Sequence, residues 1–219
     1  MIEIDASQGE GGGQVLRSAL SLSIVSGQPI HLTNIRARRR NPGLAPQHLA
    51  GVRAAARICD AAVEGDALRS QELAFLPGGP ARAGGYTFDV EALSGQGSAG
   101  ALTLLLQTIL LPLALADGPS RLVLRGGTHV AWSPPVHYVK WVLLPVLQRV
   151  GIEAAIELVA WGWYPRGGGE AHVTIEGGAS LRGLMLAERG DFVDLQGLAV
   201  ASNLPSHIPQ RIAGRANNL

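Results

Sequence analysis

The chain passes twice through the same order of elements, and this duplication constrains its fold more than any other feature of its 219 residues. Residues 2–5 alternate like a short strand. A helix follows over 13–26, stopped by Gly27, then a strand over 30–35 and a turn at Pro42-Gly43. A second helix over 46–62 carries Leu49, Val52, Ala56, Cys59 and Ala62 on one face. Strands at 72–76 and 86–90 flank a Pro-Gly-Gly turn region. The order then restarts. The glycine-rich run from Ser94 to Gly100 leads into a helix over 101–116, followed by a strand over 121–125. A helix over 136–150 opens after Pro134-Pro135, and strands near 153–161 and 170–176 flank Tyr164-Pro165-Arg166-Gly167-Gly168-Gly169. Superposing the halves brings Gly9 onto Gly95, Gly11 onto Gly97, His48 onto His137 and Pro77-Gly78-Gly79 onto Pro165-Arg166-Gly167. An interval this long is a duplicated supersecondary unit, not a solenoid repeat. The expected fold is α/β (α+β): tandem βαβαββ units over 1–91 and 92–179, each a small sheet with two helices on one face. After Gly177-Gly178 the pattern stops. Residues 181–186 and 192–200 read as strands of a different small domain. The tail from Ile208 opens a helix that never completes, so 180–219 read as the beginning of that domain.

Composition narrows the function classes. Hydrophobic residues make up 47% of the chain, enough for a sizeable core. A net charge of +1 gives no global basic field, so any nucleic-acid contact must come from a local patch. One cysteine, Cys59, excludes an internal disulfide and reads as a buried thiol in a reducing compartment. No signal peptide is apparent, which points to the cytoplasm. The longest apolar stretch, 99–116, is interrupted by Thr103, Gln107, Thr108 and Pro112, and reads as a buried helix, not a membrane span.

Two stretches carry anion chemistry. In Gly9 to Arg17, GEGGGQVLR, a glycine cluster feeds a helix N-terminus. Such a turn presents unpaired N–H groups and the positive end of a helix dipole, with Arg17 one turn in. The plainer reading is a turn that lets the helix pack closely on a strand. In Arg36-Ala37-Arg38-Arg39-Arg40, four arginines sit at a strand end beside the turn into a helix. Guanidinium groups bind phosphate through paired donors. Strand alternation would put Arg36, Arg38 and Arg40 on one face, unless the strand has already ended. Gln107 lies within an apolar helix, where a buried amide must either cap a neighbouring loop or face a ligand in a cleft. Glu10, inside the glycine cluster, would repel phosphate unless a divalent cation stands between them; otherwise it is an ordinary exposed carboxylate. The six histidines have no metal-ligand spacing, and each reads as structural or exposed. No Walker A ending is present. The GQGSAG run at 95–100 fits G-x-G-x-x-G but lacks a convincing acidic residue downstream.

With these residues in view, the chain resembles the RNA 3′-terminal phosphate cyclase family. The matching stretches are 9–23, 35–49, 97–112, LRGGT at 124–128, WYPRGGGE at 163–170, LAERGDF at 186–192 and LPSHIPQR at 204–211. The resemblance implies three βαβαββ repeats with a small domain inserted before the third. It implies ATP and a divalent cation (Mg or Mn) as cofactors, an RNA 3′-phosphate end as partner, and no membrane. The implied reaction is of the ligase class. A histidine attacks the α-phosphate of ATP and becomes adenylylated. AMP passes to the RNA 3′-phosphate, and the ribose 2′-hydroxyl attacks that phosphate, closing a 2′,3′-cyclic phosphodiester and releasing AMP. Carried over, Glu10 resembles the metal-associated carboxylate, and Arg17, Arg36 and Arg39 the phosphate-binding arginines. Gln47 resembles a polar site residue and Gln107 an ATP-contacting glutamine. The family's nucleophilic histidine and an Asp-Gln pair belong to the third repeat and match nothing here, so this chain is expected to carry part of an active site. A further departure is Thr128-His129, where the family typically has Asp or Asn after GGT. An alternative within the resemblance is a noncatalytic cyclase-like factor in ribosomal RNA processing.

Overall fold

The computed structural model describes residues 1–9, 12–94 and 100–218. These form two compact units, Met1–Gly183 and Leu184–Leu219.

The larger unit holds two four-stranded sheets. In the first, β1 (Ile2–Asp5) runs parallel to β2 (Ile30–Thr33) through the crossover helix α1 (Gly13–Ser26). Helix α2 (Pro46–Cys59) then leads to the hairpin of β3 (Ala62–Glu64) and β4 (Leu73–Leu76), and β4 returns antiparallel against β2. The strand order is β1-β2-β4-β3. The second sheet repeats it. Strand β5 (Gly85–Asp89) is followed by the five-residue helix α3 (Val90–Ser94) and by α4 (Leu102–Ala114), and is parallel to β6 (Ser120–Gly126). A helix follows in three pieces: α5 (Val136–Tyr138), a π-helical stretch Val139–Leu143, and α6 (Leu144–Arg149). The hairpin β7 (Ala154–Ala160) and β8 (Gly169–Ile175) completes the order β5-β6-β8-β7.

Local chemistry accounts for most boundaries. Gly27 ends α1 at φ +67°, a left-handed conformation that costs glycine nothing. Pro46 sits at the start of α2, where its missing N–H is not needed. Alternation sets the buried faces: Ile30, Leu32, Leu73 and Phe75 of the first sheet and Phe88, Leu122, Leu124 and Val173 of the second all join one continuous core with α1, α2 and α4. Cys59 belongs to it; its thiol donates to the Ala55 carbonyl at 3.3 Å, and burial pushes its pKa up to about 11. That thiol is inert.

Three expectations need correction. The strand read at 86–90 does not pair with β4. It is the first strand of the second sheet, parallel to β6, and the partner of β4 is the three-residue β3. Pro77-Gly78-Gly79 follows β4, whereas Pro165–Gly167 lies in the β7–β8 hairpin, so the two turns do not correspond. In Leu184–Leu219 no strand forms among the described residues, and the tail completes an 11-residue helix, α7 (His207–Asn217). Glu10, Gly11 and the 95–99 part of the G-x-G-x-x-G run lie outside the described residues. No helix of the described residues is long and apolar enough to cross a membrane.

Candidate phosphate-binding site

Helix α1 starts at Gly13 with Gly12 as its N-cap, and no side chain of the described residues caps it. The first-turn N–H groups of a helix have no intrahelical partner and suit an external acceptor. A residue larger than glycine does not fit there. A Cβ on Gly13 would overlap Nε2 of His48 and stand 2.9 Å from Nη1 of Arg17, and one on Gly12 would stand 3.3 Å from Nη2 of Arg39. Arg17, Arg39 and His48 thus converge on the opening of α1, from three different segments of the first repeat.

Arg17 is held from both sides. Its Nη2 donates to Gln14 Oε1 at 3.1 Å, and its Nε donates to Gln107 Oε1 at 3.0 Å. Burial lowers its pKa without neutralising it. Gln107 is exposed, not buried as its apolar setting predicts, and it opens with Arg17, Gln14 and Ser18 onto a cleft of about 250 Å³ between α1 and α4. It faces a cleft, as one of its two sequence readings has it, and among the described residues its Oε1 accepts from Arg17 and caps no loop.

The arginine run is not a strand end. Strand β2 stops at Thr33, and 34–45 form a looped connection in which Arg36 takes φ +54°. Alternation therefore does not sort the four arginines. Nη1 of Arg36 donates to the carbonyls of Asn41 (2.9 Å) and Gly43 (2.8 Å), bracing its own loop. Burial, then the charge of Arg39, lower its pKa, so the two guanidinium groups lie close enough to repel. Arg38 reaches back to the Gly9 carbonyl at 3.4 Å. Arg40 is exposed.

The start of α2 supplies the remaining groups. Gln47 Nε2 and His48 Nδ1 are buried nitrogens with no hydrogen-bond partner among the described residues. An unpaired buried polar atom costs about 1–3 kcal/mol, so such atoms mark places where a partner belongs. The pKa of His48 falls to about 3, first because it is buried and then because Arg36 and Arg17 face it. At neutral pH the ring is therefore uncharged. His48 enters the sequence reading only as the counterpart of His137 between the repeats and as one of six histidines read as structural or exposed. Its position directly after Gln47 in the first turn of α2 was the available signal.

Arg17, Arg36, Arg39, Gln107 and the start of α2 at Gln47 are thus gathered by the first repeat and α4. Three guanidinium groups and two orphaned nitrogens suit a multiply charged oxyanion such as a nucleotide or RNA phosphate. The family model described as RNA 3′-terminal phosphate cyclase matches residues 8–205. A protein of that name from Trichormus variabilis is 62% identical over the whole chain, which spans 63% of its length; one from Methylococcus capsulatus is 54% identical over 99% of the chain and 60% of its own length. Among solved structures, the enolpyruvyl transferase NikO from Streptomyces tendae is similar over 77% of the chain and 30% of its own length, with 16% identity and a TM-score of 0.42. With the family model matching from residue 8 to residue 205, this chain belongs to the RNA 3′-terminal phosphate cyclase family.

Proposed function

We propose that this chain provides the phosphate-binding part of an enzyme that converts an RNA 3′-terminal phosphate into a 2′,3′-cyclic phosphodiester, a reaction of the ligase class. The observation that carries this reading is the convergence of Arg17, Arg39 and His48 on the uncapped start of α1, with Gln47 Nε2 and His48 Nδ1 unpartnered beside it. Such donors would hold ATP as well as RNA phosphate, and ATP when bound supplies the AMP that activates the 3′-phosphate through an enzyme–AMP intermediate. Arg17 and Arg39 neutralise the phosphate oxygens. Arg36 keeps the loop that carries Arg39 in shape. Gln107 fixes the Arg17 guanidinium. Glu10 is the residue proposed to hold the divalent cation. In this reading the two four-stranded sheets with their helices are two repeats of the enzyme, the second opening at β5 and not at residue 92 as the sequence suggested; 180–219 open an inserted domain, and the nucleophilic histidine comes from the third repeat that the resemblance implies. The protein acts in the cytoplasm.

The test is binding of a short 3′-phosphorylated RNA oligonucleotide, compared with the same oligonucleotide ending in a 3′-hydroxyl. The phosphorylated end should bind at least tenfold more tightly, and Arg39→Ala should abolish that preference. Equal affinity for the two ends in the unaltered chain would defeat the proposal.

A further inference from the structure

In the second repeat, the loop after β6 and the hairpin between β7 and β8 meet in a cluster of rings. Trp161 and Trp163 lie nearly parallel (4°), with centroids 5.4 Å apart. His129 packs on both, at 4.7 and 5.3 Å. His137 joins Trp161 at 5.2 Å and Trp141 at 4.6 Å, and Nε2 of His129 is hydrogen-bonded to Nδ1 of His137 at 2.9 Å. The backbone is latched beneath the rings. Thr128 N–H donates to the Gly162 carbonyl, and Gly162 N–H donates to Thr128 Oγ1, each at 2.9 Å. Gly162 has no room for a Cβ, which would meet the backbone of Gly126 and Gly169.

These rings are not core. Phe75 and Phe88 are fully buried, whereas Trp141 is 57% exposed and His129, His137, Trp161 and Trp163 are half-buried. In the same loop Trp132 takes φ +64° and is 99% exposed, so its indole stands in solvent. All four tryptophans of the chain lie between residues 132 and 163. The chain segments that carry the rings hold cations and no acid, and Glu170, paired with Ala160 across the hairpin, is bound by Arg125 and His172. Residues 126–152 carry Lys140 and Arg149 and no Asp or Glu, and 158–169 carry Arg166 and no Asp or Glu. His129 and His137 have their pKa lowered by burial, so both are neutral near pH 7 and present flat uncharged faces.

We propose that the His129–His137–Trp161–Trp163 cluster, with the exposed Trp132 of the same loop as His129, stacks unpaired bases of single-stranded RNA while Lys140 and Arg166 meet its backbone. Aromatic faces flanked by cations bind single strands because every base offers a π-face, whatever its identity. The inference rests on the RNA reading above and adds a second contact, one that reads bases and not the terminal phosphate. His129, where the family typically has an acidic or amide side chain, is part of the platform.

Because every tryptophan lies in this region, intrinsic fluorescence reports on it directly. The full chain is titrated with a 3′-phosphorylated hexaribonucleotide, with a 3′-phosphorylated abasic hexamer, and with AMP. The base-bearing hexamer should quench the emission and bind about tenfold more tightly than the abasic one. Trp163→Ala should remove that advantage and Trp163→Phe should keep it. Trp132→Ala, which has no packing to lose, should weaken base-dependent binding several-fold with an unchanged circular dichroism spectrum. Equal binding of the two hexamers sinks the platform, even if the 3′-phosphate preference survives. Quenching by AMP at the concentrations where the hexamer acts also sinks it, since the rings would then serve a free nucleotide. A base preference without any 3′-phosphate preference leaves the platform standing and removes the cyclase reading instead.

Discussion

The two repeats build the same crossing of loops and then fill it with opposite chemistry. In the first, the connection from β2 to α2 is tied to the β3–β4 hairpin: Ile35 N–H donates to Gln71, Leu44 N–H to Ser70, and Arg69 N–H to Leu44. In the second, the connection from β6 to α5 is tied to the β7–β8 hairpin: Thr128 and His129 N–H donate to Gly162. Both loops lead into a helix whose first turn carries a histidine, His48 or His137. The first crossing displays guanidinium groups and buried orphaned nitrogens; the second displays neutral rings. Strand order dictates that the loops converge. It does not dictate what they bind, which depends on a handful of side chains in each loop.

The largest expected effect tests whether close packing at the first crossing matters as much as charge. Gly13→Ala adds one methyl group where His48 and Arg17 already stand. Both side chains must shift, and the donors then lose the short, aligned geometry on which charge-assisted hydrogen bonds to phosphate depend. Affinity for a 3′-phosphorylated oligonucleotide should therefore collapse while the helix content holds. Wild-type affinity in this variant would mean that the convergence on α1 is incidental.

A smaller effect separates the two histidines. Burial and two facing arginines hold His48 at about 3 when folded, against 6.5 when unfolded, so the unfolded chain binds the extra proton between those values. The contribution of His48 to stability is complete above about pH 6.5 and is lost as the pH falls toward 3. By pH 4.5 the loss is about 2–3 kcal/mol relative to pH 7. His129 and His137 are lowered in the same direction, by burial first. Urea unfolding of His48→Gln and of His137→Gln across this range should show the flatter pH dependence in the His48 variant. The reverse ranking would place the buried proton-excluding site in the second repeat.

The strands β2, β4 and β6, the glycine stop of α1 and the start of α2 were all legible in the sequence, because each is set by neighbouring residues. Strand β3 was not. It has three residues, an exposed, half-buried, exposed pattern, and no apolar run to announce it. The strand at Gly85–Asp89 was seen but placed beside its neighbour in sequence, whereas its parallel partner begins only after α4. The same limit applies to the site. Arg17 and the arginine run were visible as cations, but the 90-residue reach from Arg17 to Gln107 exists only because α4 packs against α1. His48 was hidden because a lone histidine looks the same in a core, on a surface or between two arginines. Trp161 and Trp163, two residues apart in an extended stretch, face the same way by simple alternation, and that signal went unused.

The smallest effect concerns what joins the repeats. Arg57 of α2 lies over the rings of Tyr86 and Phe88 in β5, at 5.9 and 5.5 Å, and Nη1 donates to the Thr87 carbonyl at 3.2 Å. The two rings stack on each other at 5.6 Å and 7°. A helix of the first repeat thus grips the first strand of the second. The corresponding helix of the second repeat instead leaves Trp141, Val142 and Val146 exposed. Exposed cation–π contacts are worth roughly 0.5–1 kcal/mol, so Arg57→Met, which keeps the alkyl stem, should lower Tm by about 1–4 °C. Arg57→Lys keeps the charge but loses the flat guanidinium, and it should fall between the two. If Met and wild type melt together, the grip is geometric only, and the repeats are joined by their shared apolar core alone.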